Sequence, residues 1–164
     1  MPGLKKALIV LVAASTATLM ASTSASAGDE GWEDAGWYSG ELAFPSGTIC
    51  VPGNSVGDQA CFRKNGDQWF VYDGEADLLS PYVNWENRLS YDNGSTWQST
   101  PYRSGKCRNS WPNGNWGVCN KDYYESSSLN KIGGHGSQVR FQLCWTDGFD
   151  GGCYAWSHWI DNNG

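Results

Sequence analysis

Six cysteines in three close couples constrain the fold of this 164-residue chain more than any other feature. Long gaps separate the couples, so we expect sequential pairing rather than one of the many other connectivities that six cysteines allow. The expected bridges are Cys50–Cys61, Cys107–Cys119 and Cys144–Cys153. No two cysteines have the two-residue spacing of structural zinc sites, so the pattern predicts disulfides formed in an oxidising compartment and no metal or other cofactor.

The first residues have the features of an export signal. Lys5 and Lys6 precede an apolar run from Ala7 to Ala14, and Ala25-Ser26-Ala27 has the small residues of a cleavage site. A membrane span needs about 20 apolar residues, so we expect cleavage after residue 27 and no stable membrane insertion afterwards. The predicted organisation is a signal peptide at 1–27, a loosely held arm at 28–48 and a secreted β domain at 49–164.

The segment from Gly136 to Ile160 predicts a disulfide-tied β-hairpin. Val139, Phe141 and Leu143 alternate with polar residues, which indicates a strand with one buried face. A second alternating run covers 153–160, and the turn formers between the two runs place Cys144 opposite Cys153.

A second hairpin is predicted around Asn65-Gly66-Asp67, because Asn-Gly between strand-like runs is a strong local turn signal. Its arms are Gln59–Lys64 and Gln68–Asp73. In the second arm, Trp69 and Phe70 point to opposite faces, so both faces of this sheet need cover, as in a two-sheet sandwich.

Further strands and turns follow from the same signals. The predicted strands are 82–89, 115–120 and 123–129; the predicted turns are 93–95 and 111–114; and 50–61 is predicted to be a loop closed by its own disulfide. No segment has a sustained helical period, and the chain contains 21 glycines. We therefore expect an all-β fold, a single small disulfide-stapled β-sandwich or open barrel built from about seven strands in antiparallel hairpins, with the strand order left open.

Charge argues against nucleic acid as a partner. The chain has 17 acidic and 11 basic residues, with a net charge of −6. Proteins that hold polyphosphate usually carry an extended basic surface, whereas the basic clusters here, at 63–64 and 103–108, are short.

Catalytic and metal-binding patterns are weak. His135 lies among glycines and His158 on a predicted strand, and Ser126–Ser128 are not on a nucleophile elbow. The carboxylates of Asp73, Glu75 and Asp77 are close together, but a calcium loop beginning at Asp73 would need other residues where Leu78 and Asn84 stand.

Aromatic content is high, with 10 Trp, 8 Tyr and 5 Phe. We assign Trp69, Phe141, Trp145 and Trp156 to the core because they lie in predicted strands. Trp97, Trp111 and Trp116 fall in or beside turns, and with Asn113 and Asn115 they form the candidate ligand-binding set. Flat aromatic faces beside amides suit sugar rings or a protein interface.

The order of elements from Cys61 onward resembles a group of small secreted disulfide-containing β proteins of unknown function, common in actinobacteria. The residues that carry the resemblance are Cys61-Phe62, Gly66-Asp67, Trp69-Phe70-Val71, Asp73, Gly105 to Asn109, Gly114-Asn115-Trp116, Cys119-Asn120, Glu125, the Cys144–Cys153 hairpin and Trp156. The resemblance implies an exported, disulfide-stabilised β protein and no catalytic residues.

Three functions remain open from the sequence. The first is an exported, non-enzymatic binding protein for a glycan or an extracellular protein. The second is a secreted protease inhibitor that presents the Cys50–Cys61 or the Cys107–Cys119 loop, and the third is a small extracellular hydrolase. The oligomeric state is also left open.

Overall fold

The computed structural model describes residues 28–40, 47–52 and 57–163. The described residues form β-strands, turns and irregular segments, and none of them forms a helix that could span a membrane. The predicted signal segment at 1–27 lies outside the described residues. The all-β prediction is confirmed, because the strands build two sheets that pack face to face.

Eleven strands are present in the described residues, against the seven or so that were expected. They are β1 Gly28–Asp34, β2 Gly36–Tyr38, β3 Thr48–Pro52, β4 Gln59–Arg63, β5 Gln68–Tyr72, β6 Ser80–Leu89, β7 Arg103–Arg108, β8 Trp116–Asn120, β9 Ser137–Thr146, β10 Gly151–Cys153 and β11 Ile160–Asp161. The larger sheet has the order β1-β7-β6-β9-β10, with β11 also paired to β9. The second sheet has the order β2-β8-β5-β4-β3.

The core lies between the two sheets. Trp69 of β5 and Trp85 of β6 are fully buried, and their rings lie nearly parallel with centroids 6.4 Å apart. Phe141 of β9 packs against Trp69 with ring centroids 5.1 Å apart. Because aromatic side chains of this size each bury a large apolar area, this small group holds the two sheets together.

The three predicted disulfides are all present. Cys50–Cys61 and Cys144–Cys153 each join directly paired residues of neighbouring strands. Cys107 and Cys119 lie on β7 and β8, so their bridge connects the two sheets through the core. The segment from Cys50 to Cys61, predicted to be a loop, begins and ends in the paired strands β3 and β4.

The hairpin at Asn65-Gly66-Asp67 is confirmed as the β4–β5 connection, and both Gly66 and Asp67 have positive φ. The second arm of the 136–160 hairpin is only partly a strand. Between β10 and β11 the chain keeps backbone bonds from Tyr154 to Leu143 and from Ser157 to Phe141. The hydroxyl of Ser157 accepts the Phe141 N–H, and this side-chain contact replaces a regular ladder bond.

One predicted strand was wrong, and one strand of the structure was missed. Residues 123–129 form no strand, because the Tyr123 N–H bonds to the Asp67 carboxylate and Ser128 closes a turn onto Glu125. Strand β7 was missed because its buried positions are Gly105 and Cys107, which do not make an apolar pattern. Glycine is needed at 105, since a Cβ there would come within 2.7 Å of the Trp85 ring.

The predicted N-terminal arm also differs from expectation over its described residues. β1 pairs with β7 in parallel, and β2 pairs with β8 antiparallel. The parallel pair is an exception to the antiparallel hairpins that the sequence suggested. Glu30 and Glu33 of β1 both form ion pairs with Lys121, which tie this strand to the body of the domain.

Candidate functional site

The structure separates the three tryptophans that the sequence grouped. Trp97 comes after the C-terminal end of β6, and Trp111 comes after the C-terminal end of β7. Because β6 and β7 are antiparallel, the two tryptophans lie at opposite ends of this strand pair. Trp97 is half-buried, with the guanidinium of Arg88 5.6 Å from its ring centroid. Trp116 lies on β8 and is only 6% exposed, packed against Tyr72 with ring centroids 5.0 Å apart. Trp116 is therefore a packing residue, because its cross-strand neighbours Tyr38 and Tyr72 flank it on the outer face of the second sheet.

Trp111 keeps the exposed position that was expected of it, at 40% exposure. Its backbone N–H donates to the side-chain oxygen of Asn109, and its indole N–H donates to the carbonyl of Ala35 at 2.9 Å. Asn109 is fully buried, and its amide donates to the carbonyls of Val71 and Asn115. The Trp111 ring is thus held in place from both its backbone and its indole nitrogen.

A second exposed indole, Trp37 of β2, lies beside Trp111. The ring centroids are 6.3 Å apart with an interplanar angle of 43°, and Trp37 is 61% exposed. Sequence reasoning missed this neighbour because Trp37 was placed in a loose arm. The residues around Trp37 do not indicate that β2 pairs with β8, because β8 lies about 80 residues further along the chain.

A groove opens next to Trp111. Its lining residues are Asp73, Glu75, Ala76, Leu78, Leu79, Ser80, Trp111, Pro112 and Asn113. Asn113 is exposed, as its predicted role requires. Asn115 instead folds its amide onto the Pro112 carbonyl at 2.9 Å and so supports the loop from within.

The carboxyl of Asp73 is buried in the wall of this groove. Burial raises its pKa to about 6, and the nearby carboxylates of Asp58, Asp77 and Glu75 add to the effect. The backbone of Asp73 also bonds to Gly114 and Asn115, so the acidic segment and the Trp111 loop are fastened to each other. Among the described residues, no three metal-ligating side chains are placed to hold an ion together.

A separate cleft at the other end of β6 contains the histidine and serine considered for catalysis. Trp97, Ser126, His135 and Asp161 are among its lining residues. Within the described part of the chain, no hydrogen bond joins Ser126, His135 and Asp161, and Asp161 accepts from Gln138 instead. His158 is exposed on the segment between β10 and β11. The geometry therefore brings together no working triad among these groups.

Comparison with protein-family models, curated proteins and solved structures finds no match to this chain. The resemblance to secreted actinobacterial proteins stays a prediction.

Proposed function

We propose that this chain is an exported, non-enzymatic binding protein that takes a glycan on the Trp37–Trp111 pair and the groove beside it. The observation that carries the proposal is the exposure of two neighbouring indoles, at 61% and 40%, in a fixed arrangement. Export is supported by the three disulfides, which form and persist in oxidising compartments.

The Trp37–Trp111 pair is suited to binding because both residues are already held in position in the free protein. Trp111 is held by Asn109 and by the Ala35 carbonyl, and Trp37 lies on a strand paired with β8. Groups that are already ordered lose little conformational entropy on association. Two tilted aromatic faces offer stacking surfaces for the C–H faces of successive sugar rings.

The groove adds the hydrogen-bonding groups that a sugar needs. Asn113 and Ser80 line it with an amide and a hydroxyl, and Glu75 adds a half-buried carboxylate. Apolar surface combined with a few converging polar groups is the usual composition of a ligand site. The acidic residues in this wall favour a neutral glycan, whose hydroxyls donate to carboxylates, over an anionic one.

The test is binding of the mature protein to a panel of insoluble neutral polysaccharides, followed by the same assay on Trp37→Ala/Trp111→Ala. We expect the double variant to lose binding while its circular dichroism spectrum stays unchanged. Tyr91→Ala is the matched control, because Tyr91 is an exposed aromatic residue away from the groove. Unchanged binding by a folded double variant, or no binding of the native protein to any member of the panel, would overturn the proposal.

A protease inhibitor is the second candidate, and one observation favours it. Phe149 is 98% exposed at the tip of the loop that Cys144 and Cys153 close, and Asp147 accepts the N–H groups of Phe149 and Asp150. This is a different loop from the two that the sequence suggested. Stoichiometric inhibition of a protease that prefers aromatic residues, abolished by Phe149→Ala, would replace the glycan proposal.

A further inference from the structure

The cleft beside Trp97 lies at the opposite end of the β6–β7 pair from the Trp37–Trp111 groove. Three segments of the chain, 93–97, 126–137 and 161–163, contribute its lining residues. Its volume is about 160 Å³. Pockets for drug-sized ligands usually measure roughly 300–1,000 Å³, so this cleft has room for one small ring and not for an extended chain.

The segment that carries Trp97 is held in place by its own hydrogen bonds. The Ser90 hydroxyl donates to the carboxylate of Asp92. The same carboxylate accepts the backbone N–H groups of Ser95 and Thr96. Ser90 and Trp97 are also joined by an isolated β-bridge. The backbone on this side of the cleft is therefore fixed in the free protein.

The facing loop is organised around Asn130, which is buried. Its side-chain amide donates to the carbonyls of Ser90 and Gly136. Its side-chain oxygen accepts the N–H groups of Ile132 and Gly134. Both sides of the cleft are thus ordered, and a ligand that binds there loses little free energy to the ordering of loops.

Asn162 lines the cleft with an unpartnered amide. The residue is only 1% exposed, and its backbone N–H donates to the carbonyl of Ser137. Neither polar atom of its side chain has a hydrogen-bond partner among the described residues. The carboxyl of Asp67 lies beside this amide, but the two groups are not aligned for a hydrogen bond of ordinary geometry. A buried amide without partners is costly, so it favours a ligand that can both donate and accept.

The remaining chemistry of the cleft is polar around one aromatic ring. Trp97 is half-buried and supplies the ring. Ser126 and His135 supply a hydroxyl and an imidazole, each able to take part as donor and as acceptor, and Asp161 supplies a carboxylate. Among the described residues that line the cleft there is no lysine or arginine to neutralise a phosphate or a carboxylate.

We infer that the Trp97 cleft binds a single neutral sugar residue, the end of a glycan chain, with a C–H face on Trp97 and hydroxyl groups on Asn162 and Asp161. Sugar hydroxyls both donate and accept, so they satisfy an amide, an imidazole and a carboxylate together. The small volume restricts the site to a terminal residue. This site is separate from the Trp37–Trp111 groove and does not depend on the function proposed there.

The experiment is a ¹H–¹⁵N NMR titration of the mature protein with methyl glycosides of neutral hexoses, 6-deoxyhexoses and N-acetylhexosamines. N-acetylglycine amide is the amide probe without a sugar ring, and methyl glucuronoside is the charged probe. We expect at least one neutral glycoside to bind with a Kd of about 1 mM, the order of magnitude for a ligand of this size, and to shift the Trp97 indole N–H signal. That signal is identified by its loss in Trp97→Ala.

Three results would overturn the inference. The first is no shift with any neutral glycoside at about 20 mM, well above the expected Kd. The second is equal binding of N-acetylglycine amide, and the third is tighter binding of methyl glucuronoside than of every neutral glycoside.

Variants locate the site. Trp97→Ala should abolish measurable binding, and Tyr91→Ala is its control because Tyr91 is an exposed aromatic residue of the same loop that does not line the cleft. Asp161→Ala should lower affinity roughly three- to thirtyfold, as expected for one hydrogen bond at an exposed carboxylate.

Asp150→Ala is the matched control for Asp161→Ala. Both carboxylates are exposed, but Asp150 follows the C-terminal end of β9, whereas Asp161 pairs with Gln138 at its N-terminal end. Unfolding curves check that the variants are folded. Undiminished binding by folded Asp161→Ala or by folded Trp97→Ala would contradict the inference.

The two sites can fail separately. Trp37→Ala/Trp111→Ala should leave glycoside binding intact, whereas Trp97→Ala should leave binding to insoluble polysaccharides intact. If the first variant abolished glycoside binding, the Trp97 cleft would be excluded as the site. If polysaccharides failed to bind the native protein while a glycoside bound and Asp161→Ala weakened it, only the earlier proposal would be lost.

Discussion

The indole N–H of Trp69 donates a hydrogen bond to the hydroxyl of Tyr123 at 2.9 Å, and both side chains lie inside the sandwich. Trp69 belongs to a strand, whereas Tyr123 comes from an irregular segment that enters the core. Burial raises the pKa of the Tyr123 hydroxyl well above its ordinary value, so the group is neutral at all ordinary pH values. The bond anchors the segment after β8 to the centre of the molecule.

Tyr123→Phe removes the acceptor and leaves the Trp69 indole N–H buried without its partner. We expect the free energy of unfolding to fall by about 1–3 kcal/mol, the usual cost of such a group. Urea unfolding measures the change. Tyr91→Phe serves as the control, because Tyr91 is 57% exposed and should change stability by less than about 0.5 kcal/mol. Equal effects of the two substitutions would mean that the Trp69–Tyr123 bond contributes nothing specific.

Trp111 and Trp116 should respond differently to truncation, although both lie between Cys107 and Cys119. Trp116→Ala removes a buried ring from the Tyr38–Tyr72 cluster and should cost about 3–5 kcal/mol. Trp111→Ala removes a partly exposed ring and one hydrogen bond, for about 1 kcal/mol. Chemical unfolding of the two single variants gives both values, and a loss at Trp111 as large as that at Trp116 would show that Trp111 is structural.

The bridge between the sheets should matter most among the disulfides. Chain entropy predicts about 3 kcal/mol for a loop of this size, and the Cys107–Cys119 and Cys144–Cys153 loops differ little in length. Cys107 and Cys119 are both buried in the core, whereas Cys153 is exposed. We therefore expect Cys107→Ala/Cys119→Ala to lose more stability in thermal unfolding than Cys144→Ala/Cys153→Ala. If Cys144→Ala/Cys153→Ala lost more stability, packing around the Cys107–Cys119 bridge would add nothing to the stabilisation that comes from closing its loop.

Stability should decrease as pH rises from about 4 to about 6. Burial raises the pKa of Asp67 to about 6, and burial with neighbouring carboxylates does the same for Asp73. In this range the folded state therefore holds more protons than the unfolded state, and their loss destabilises the fold. Below about pH 4 the trend reverses, because backbone N–H groups lower the pKa of Asp92 and Asp147, and protonating these groups favours unfolding.

Urea unfolding at pH 4.5 and 7.5 checks this dependence. Asp67→Asn should reduce the difference in the free energy of unfolding between the two pH values. The asparagine keeps an acceptor for the Tyr123 N–H and tolerates the positive φ at this position. Asp29→Asn, at an exposed carboxyl, should leave the difference as it is in the native protein. A native protein that is equally stable at both pH values would contradict the assignment.

Local patterns in the sequence determined the fold class, the disulfide pairing and the positions of the two longest strands, β6 and β9. Asn65-Gly66 marks a turn by backbone sterics alone, and the alternation along 82–89 and 139–143 matches the burial of β6 and β9. Cysteine spacing sufficed because each couple joins strands that the fold brings side by side or face to face. The exposure of Trp111 also followed from its position in a turn.

Tertiary structure decided what depends on partners distant in the chain. β7 is a strand because Gly105 makes room for Trp85, and no propensity of its own residues would indicate that. Cross-strand neighbours also decide whether a ring is covered. They bury Trp116 while Trp111 stays exposed, and the pairing of β2 with β8 brings Trp37 beside Trp111. The outer face of the larger sheet is a third case: its charged side chains are scattered over more than 50 residues of sequence, and only strand register places them on one surface.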